Sequence, residues 1–191
     1  MQDWEERLSK SLRTIDLVFP NQDDKIAASV LIPIGLRQET MRQEILLTKR
    51  SEKVETHKGQ ISFPGGLFEA RDNHLLRTAL RETEEEVGLT ETHLHVLGAL
   101  SPVQTLRDVV IYPWVAKVEF PKIINFNPDE VERPLFLSLQ QLLSEGLKSV
   151  QVPIKERGLT FKVSSLGITC ENELIWGASA KILEQLYLLL K

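Results

Sequence analysis

With 191 residues, 42% of them hydrophobic and 26% charged, the chain can bury one sizeable core. Its formal net charge of −4 argues against a general nucleic-acid binder, whose surface must neutralise phosphates. The lone Cys170 excludes an internal disulfide framework and a cysteine-rich metal site.

The opening MQDWEERLSKSLRTI is charged and lacks the apolar core of a secretory signal. No run reaches the roughly 18 apolar residues of a membrane span. The expectation is a cytoplasmic chain of one domain, 1–191, working away from membranes. Residues 1–25 are expected to form an N-terminal helical extension, because Trp4, Leu8 and Leu12 recur at helical spacing. Residues 27–36 and 44–51 read as two strands joined by the polar RQETMRQ, a hairpin with a loose connection. A third strand, 60–66, ends abruptly at Pro-Gly-Gly.

A helix is predicted over 74–87, with Asn73 or Asp72 as its N-cap and Gly88 as its stop. Strands follow at 95–100 and 109–120, and residues 128–132 lead into a helix over 135–146 with Leu137, Leu142 and Leu143 inward. One more strand is predicted at 159–166. The last segment, 172–191, reads as a single helix with an apolar stripe of Ile175, Ala178, Ile182, Leu186 and Leu189. That stripe either completes the core or pairs two copies, so a monomer or a homodimer is expected. Strands flanked by scattered helices predict an α/β sandwich with a mixed sheet.

The 74–87 helix holds the chemistry. At about 100° per residue, Leu76, Leu80, Thr83 and Val87 gather on one side, and Arg77 and Glu84 lie roughly opposite. Glu82, Glu85 and Glu86 share a third face, where three carboxylates repel unless a cation sits among them. Oxygen ligands of this kind suit Mg²⁺ or Mn²⁺, and no histidine or cysteine pattern points to zinc. Arg81 is spaced to pair with Glu85 at i+4. The alternative is an acidic face that is merely solvated. Against it stands the Pro-Gly-Gly strand exit, which lets backbone carbonyls approach the same edge.

Gly66, Arg81-Glu82, Glu85-Glu86 and Gly88-Leu89 resemble the box of the Nudix hydrolases. Thr83 replaces an aliphatic residue, and the span from Gly66 to Arg81 is one residue longer than the common spacing. The longer form is similar to the coenzyme A pyrophosphatase branch, with Phe63-Pro64-Gly65-Gly66, then Glu69 and Asp72, then Thr78-Ala79-Leu80-Arg81-Glu82. Leu46-Leu47-Thr48, Arg50-Ser51 and Gly59 resemble the branch's upstream motif. Residues 127–131 and 174–180 resemble its later blocks. One residue departs: Glu55 stands where that motif carries an arginine, with Lys49, Arg50, Lys53 and Lys58 nearby to substitute.

The resemblance implies a Nudix-type α/β/α sandwich and a hydrolase for a nucleoside diphosphate linked to another group. For the branch, the substrate is coenzyme A or an acyl derivative, cut to 3′,5′-ADP and a 4′-phosphopantetheine. It implies metal ligation by Gly66, Glu82, Glu85 and Glu86, with Arg81 catalytic beside them and Asp72 or Glu69 pairing with it. Arg50, Ser51, Lys58, Gly59 and Phe63 would bind substrate. The general base is Glu82 or Glu130, unless Glu130 is a plain surface acid of its loop. His57, His93 and His95 receive no role. Other readings are a Nudix hydrolase for ADP-ribose, a nucleotide sugar or a dinucleoside polyphosphate, and a non-catalytic nucleotide-binding domain.

Overall fold

A computed structural model of the protein describes residues 3–13, 20, 26–54, 58–106, 108–156 and 159–191. Glu55 and His57 lie outside the described residues. The main sheet has eight strands: β1 (Ile26–Arg37), β2 (Arg42–Arg50), β3 (Ile61–Ser62), β4 (Gly65–Leu67), β5 (Leu94–Ala99), β6 (Val103–Gln104), β7 (Val109–Val118) and β8 (Val131–Ser138). Its path runs β3-β2-β1-β7-β5, with β4 on β1, β6 on β7 and β8 on β2. The β1–β7 pair is parallel and the others are antiparallel, so the sheet is mixed. A second, antiparallel sheet holds β9 (Lys148–Glu156), β10 (Leu159–Cys170) and β11 (Glu173–Trp176).

Strand β1 is apolar almost throughout because both of its faces are covered. Leu31 faces α2 (Leu75–Val87) together with Leu75, Ala79, Tyr112 and Trp114. Ile32 and Ile34 face the other way, into a core shared with Trp4 and Leu8 of α1 (Asp3–Ser11) and with Ile182, Leu183 and Leu186 of α4 (Gly177–Leu190). A sheet between α2 on one side and α1 with α4 on the other is an α/β/α sandwich, as the resemblance implies. The polar Ser29 is tolerated at zero exposure because its hydroxyl accepts the Trp114 indole N–H at 3.1 Å and donates to the Tyr112 carbonyl at 3.3 Å.

Several boundaries differ from the sequence reading. Pro64 splits the predicted 60–66 strand into β3 and β4, since proline has no N–H for the ladder. The α2 N-cap is His74, whose Nδ1 accepts the Arg77 N–H at 3.1 Å, rather than Asn73 or Asp72. Residues 135–138 continue β8 beside β2, so Leu137 is a strand residue, and α3 spans only Leu139–Glu145. Leu142 points inward there, but Leu143 is 38% exposed. At the C-terminus, Ile175 belongs to β11 and the helix starts at Gly177, where a β-hairpin partner outweighs the helical spacing. Strand β9 had no place in the sequence reading.

Candidate active site

The site is built where α2 meets two segments distant in sequence. Strand β4 lays Gly65 opposite Val30 and Gly66 opposite Ser29, directly below α2. A Cβ at Gly66 would fall 2.3 Å from the Glu82 carboxyl carbon, so only glycine lets the strand and that carboxylate meet. Gly65 has φ of 152° and presses on the Ser29 carbonyl, a second position where a side chain has no room.

Burial separates the carboxylates that helical spacing placed together. The buried side of α2 carries Leu75, Thr78, Ala79, Thr83, Glu86 and Val87, while Leu76 and Leu80 only border it. Thr83 fits the apolar side because its hydroxyl donates to the Ala79 carbonyl at 2.6 Å. Glu86 is therefore core-facing, with its side chain 3% exposed, whereas Glu85 is 47% exposed. Glu82 lies between these extremes, against Gly66.

Arg81 is the hub. Its Nε donates to Asp72 Oδ1 at 2.7 Å and its Nη2 to Asp72 Oδ2 at 3.1 Å. Its Nη1 reaches Glu85 at 2.8 Å and Glu82 at 2.9 Å. Asp72, not Glu69, is the principal partner, since Glu69 stands 3.6 Å off and half exposed. Asp72 also accepts the Thr78 hydroxyl at 2.9 Å and the Glu69 N–H at 3.1 Å. The Arg81 guanidinium, joined by those donors, holds the Asp72 carboxyl down at about 2 against the opposing effect of burial. Asp72 in turn keeps Arg81 firmly charged.

The remaining acids are pushed the other way. Burial raises Glu86 from 4.5 to about 8, with Arg50 and the Gly65 N–H opposing the rise and Glu82 and Glu130 adding to it. Burial also raises Glu82, against the pull of Arg81. Glu130 thus acts on both carboxylates, although it lies 44 to 48 residues further along the chain. The loop of residues 127–130 is pinned there: Asn127 N–H donates to the Glu86 carbonyl at 2.9 Å and Ser51 N–H to the Glu130 carbonyl at 2.9 Å. Asn127 Nδ2 holds the Glu130 carboxylate at 3.3 Å. The sequence offered only the Asn-Pro-Asp-Glu turn as a hint of this contact.

Of the residues expected to bind substrate, Arg50 alone has a side chain in recorded contact with these acids, its Nη1 lying 3.6 Å from Glu86 Oε1. Ser51 is buried, its hydroxyl accepting the Lys53 N–H, and Phe63 is packed into the core beneath α4. Gly59, with φ of 65°, donates to the Arg50 carbonyl, and Lys58 is exposed.

Hard carboxylate oxygens are the donors a divalent cation takes. Glu86 Oε2 is buried with no hydrogen-bond partner, and the Glu82 carboxylate lies close against the Gly66 backbone. Those observations fit a cation here. Among the described residues, though, no three acids, histidines or cysteines converge as a finished ligand set. Arg81 stands between Glu82 and Glu85 and would have to yield to complete one. A cavity of ≈ 560 Å³ lies at the other end of β2, lined by Trp4, Met41, Arg42 and Leu143 among others. No carboxylate lines it.

A NUDIX domain family model matches residues 26–157. A Photorhabdus laumondii protein named uncharacterized Nudix hydrolase NudL is 33% identical over 165 residues, covering 86% of this chain and 84% of its own. A protein of the same name from Yersinia pestis is 33% identical over 192 residues, with 94% and 92% covered. Among solved structures, a MutT/nudix family protein from Enterococcus faecalis aligns over 97% of this chain and 73% of its own, with TM-score 0.54 and 14% identity. The C. elegans Ap4A hydrolase in a binary complex aligns over 61% and 83%, with TM-score 0.51 and 19% identity. These last two likenesses speak for the fold alone.

Proposed function

The chain belongs to the Nudix hydrolase family, and from that premise we propose that it cleaves the pyrophosphate bond of coenzyme A or an acyl derivative. The products are 3′,5′-ADP and a 4′-phosphopantetheine. One observation carries this reading: the separate blocks that resemble the coenzyme A branch meet at one carboxylate. Glu86 touches Arg50 of the upstream block and, through its carbonyl, Asn127 of the later one.

The reaction is hydrolytic: a water oxygen forms a bond to one phosphorus, the bridging P–O bond breaks, and the second phosphate leaves. Glu82, Glu85 and Glu86, with the Gly66 carbonyl, would hold Mg²⁺ or Mn²⁺. When bound, such an ion neutralises phosphate oxygens and makes water more acidic. Asp72 fixes Arg81, and Arg81 orients Glu82 and Glu85. In this reading Glu130, whose carboxylate accepts the Asn127 amide, takes the proton of the attacking water. It suits that role better than Glu82, whose carboxylate is committed to Arg81 and Gly66.

The test is direct. Coenzyme A incubated with the protein and Mg²⁺ or Mn²⁺ should release 3′,5′-ADP, faster than ADP-ribose or dinucleoside polyphosphates release their products. Cleavage of ADP-ribose with coenzyme A left intact would replace the substrate while leaving the hydrolase reading in place. That second reading draws on Glu55, a carboxylate where the coenzyme A motif carries a cation.

A further inference from the structure

We propose that Asn127 is a positioning residue for the hydrolysis: its side-chain amide holds the Glu130 carboxylate toward the acids of α2. This rests on the reading of Glu130 as the base and names what keeps that base in place.

Glu130 sits where like charges push it away. It lies near enough to act electrostatically on both Glu82 and Glu86, and carboxylates at that range repel. On a partly exposed loop side chain, that repulsion is relieved by turning into solvent. Among the described residues, the side-chain hydrogen bond that opposes such a turn comes from Asn127 Nδ2, at 3.3 Å. The backbone beneath is fixed. Asn127 N–H donates to Glu86 O, its carbonyl accepts the Glu130 N–H at 3.1 Å and the Val131 N–H at 2.8 Å, and Glu130 O accepts the Ser51 N–H. Val131 is buried on one flank of the loop, and Phe126 packs with Val87 and Leu89 on the other. What stays free is the direction of the Glu130 side chain, and the Asn127 amide sets it.

That amide does more than the turn requires. Asn127 Oδ1 accepts the Asp129 N–H at 3.1 Å, a side-chain closure that aspartate or serine also makes. The NH2 group is surplus to that task, and it is the half of the side chain that meets Glu130. The two contacts together fix which way round the amide sits. Reversed, it would set its oxygen against a carboxylate and its NH2 against the Asp129 N–H. An aspartate here would close the same turn and repel Glu130, and a serine would close it and fall short. Placement matters to a base, since an error of about 1 Å can cost on the order of 100-fold in rate. The effect of Asn127 on rate therefore runs through Glu130.

Steady-state kinetics and Mn²⁺ calorimetry on Asn127→Ser, Asn127→Asp, Glu130→Gln and the double variant Asn127→Ser/Glu130→Gln test this. The substrate is whichever of coenzyme A and ADP-ribose the wild type cleaves, and circular dichroism confirms each fold. Glu130→Gln should lower kcat about 100-fold. Asn127→Ser and Asn127→Asp should each lower it at least about 10-fold, with KM held within about 3-fold. A purely structural role is satisfied by either replacement, since both close the turn. Asn127→Ser should bind Mn²⁺ within about 2-fold of wild type and, added to Glu130→Gln, should cost less than about 2-fold further in kcat, because the carboxylate it positions is gone. Wild-type kcat in either Asn127 variant, Mn²⁺ affinity lost in Asn127→Ser, or losses that multiply in the double variant would overturn the role. Wild-type kcat in Glu130→Gln would instead remove the base reading, and the positioning residue with it.

Discussion

Replacing Glu86 by glutamine should make the metal-free protein more stable while abolishing its activity. Glu86 is raised from 4.5 to about 8, chiefly by burial, so at pH 7 it is protonated in the native state and ionised in the unfolded one. Between those two values the native state binds the extra proton, and stability falls as pH rises, by about 1.4 kcal/mol per unit. By pH 7 the loss reaches about 3 kcal/mol, and above pH 8 it levels off near 5 kcal/mol. The glutamine side chain has the shape of the protonated acid and no charge to lose, so the variant escapes this slope. Urea unfolding in chelator at pH 5, 7 and 8.5 should show wild type and Glu86→Gln nearly level at the first and diverging thereafter. The m values should match, because the same surface is exposed. A difference that stays flat across pH, or a variant weaker than wild type at pH 7, would refute the argument. Turnover should fall by at least about 100-fold, because the proposed mechanism makes Glu86 a metal ligand.

Other outcomes follow from the same geometry. Asp72→Asn should cost about 3–5 kcal/mol in urea unfolding at pH 7, because it leaves Arg81 without its buried partner. In the wild type that contribution is fully present above 3.8 and disappears as pH falls through about 2, which acid unfolding of the two proteins will register. Gly66→Ala should fold yet lose Mn²⁺ affinity, measured by titration, since the new methyl occupies the Glu82 carboxylate position. Glu85→Gln, at an exposed position, should leave the unfolding free energy from urea titration within about 0.5 kcal/mol while reducing turnover by orders of magnitude. Chelation should stop turnover, and Mg²⁺ or Mn²⁺ should restore it.

Much of the fold was legible because its signals are local. The β1–β2 hairpin, the glycine exit before α2 and the Gly88 stop are each written in a few adjacent residues. What escaped depended on partners distant in sequence. Ile175 fits a helical stripe by spacing, yet pairing with Ile168 of β10 makes it strand. Residues 135–138 looked helical until β2 offered them hydrogen bonds. The same distinction divides the site. Periodicity identified Arg81 with Glu85, a pair one turn apart, and found the acidic run. It set the boundary of the buried face one position off, which put Glu86 beside its neighbours rather than under them. Helix spacing gives angles between side chains, but the sheet beneath decides which angle is inward. The contacts of Glu86 with Arg50 and Asn127 span 36 and 41 residues, and no local pattern encodes them.

The inward position of Glu86 also bears on how this protein will respond to laboratory evolution. A library screened only for resistance to heat or protease would enrich neutral replacements at that position, since each relieves the native state of an ill-solvated acid. The winners would be sturdy, well-behaved and inert. Selection for robustness and selection for turnover pull in opposite directions at this one residue, so a stabilising campaign must hold it fixed and draw its gains from elsewhere.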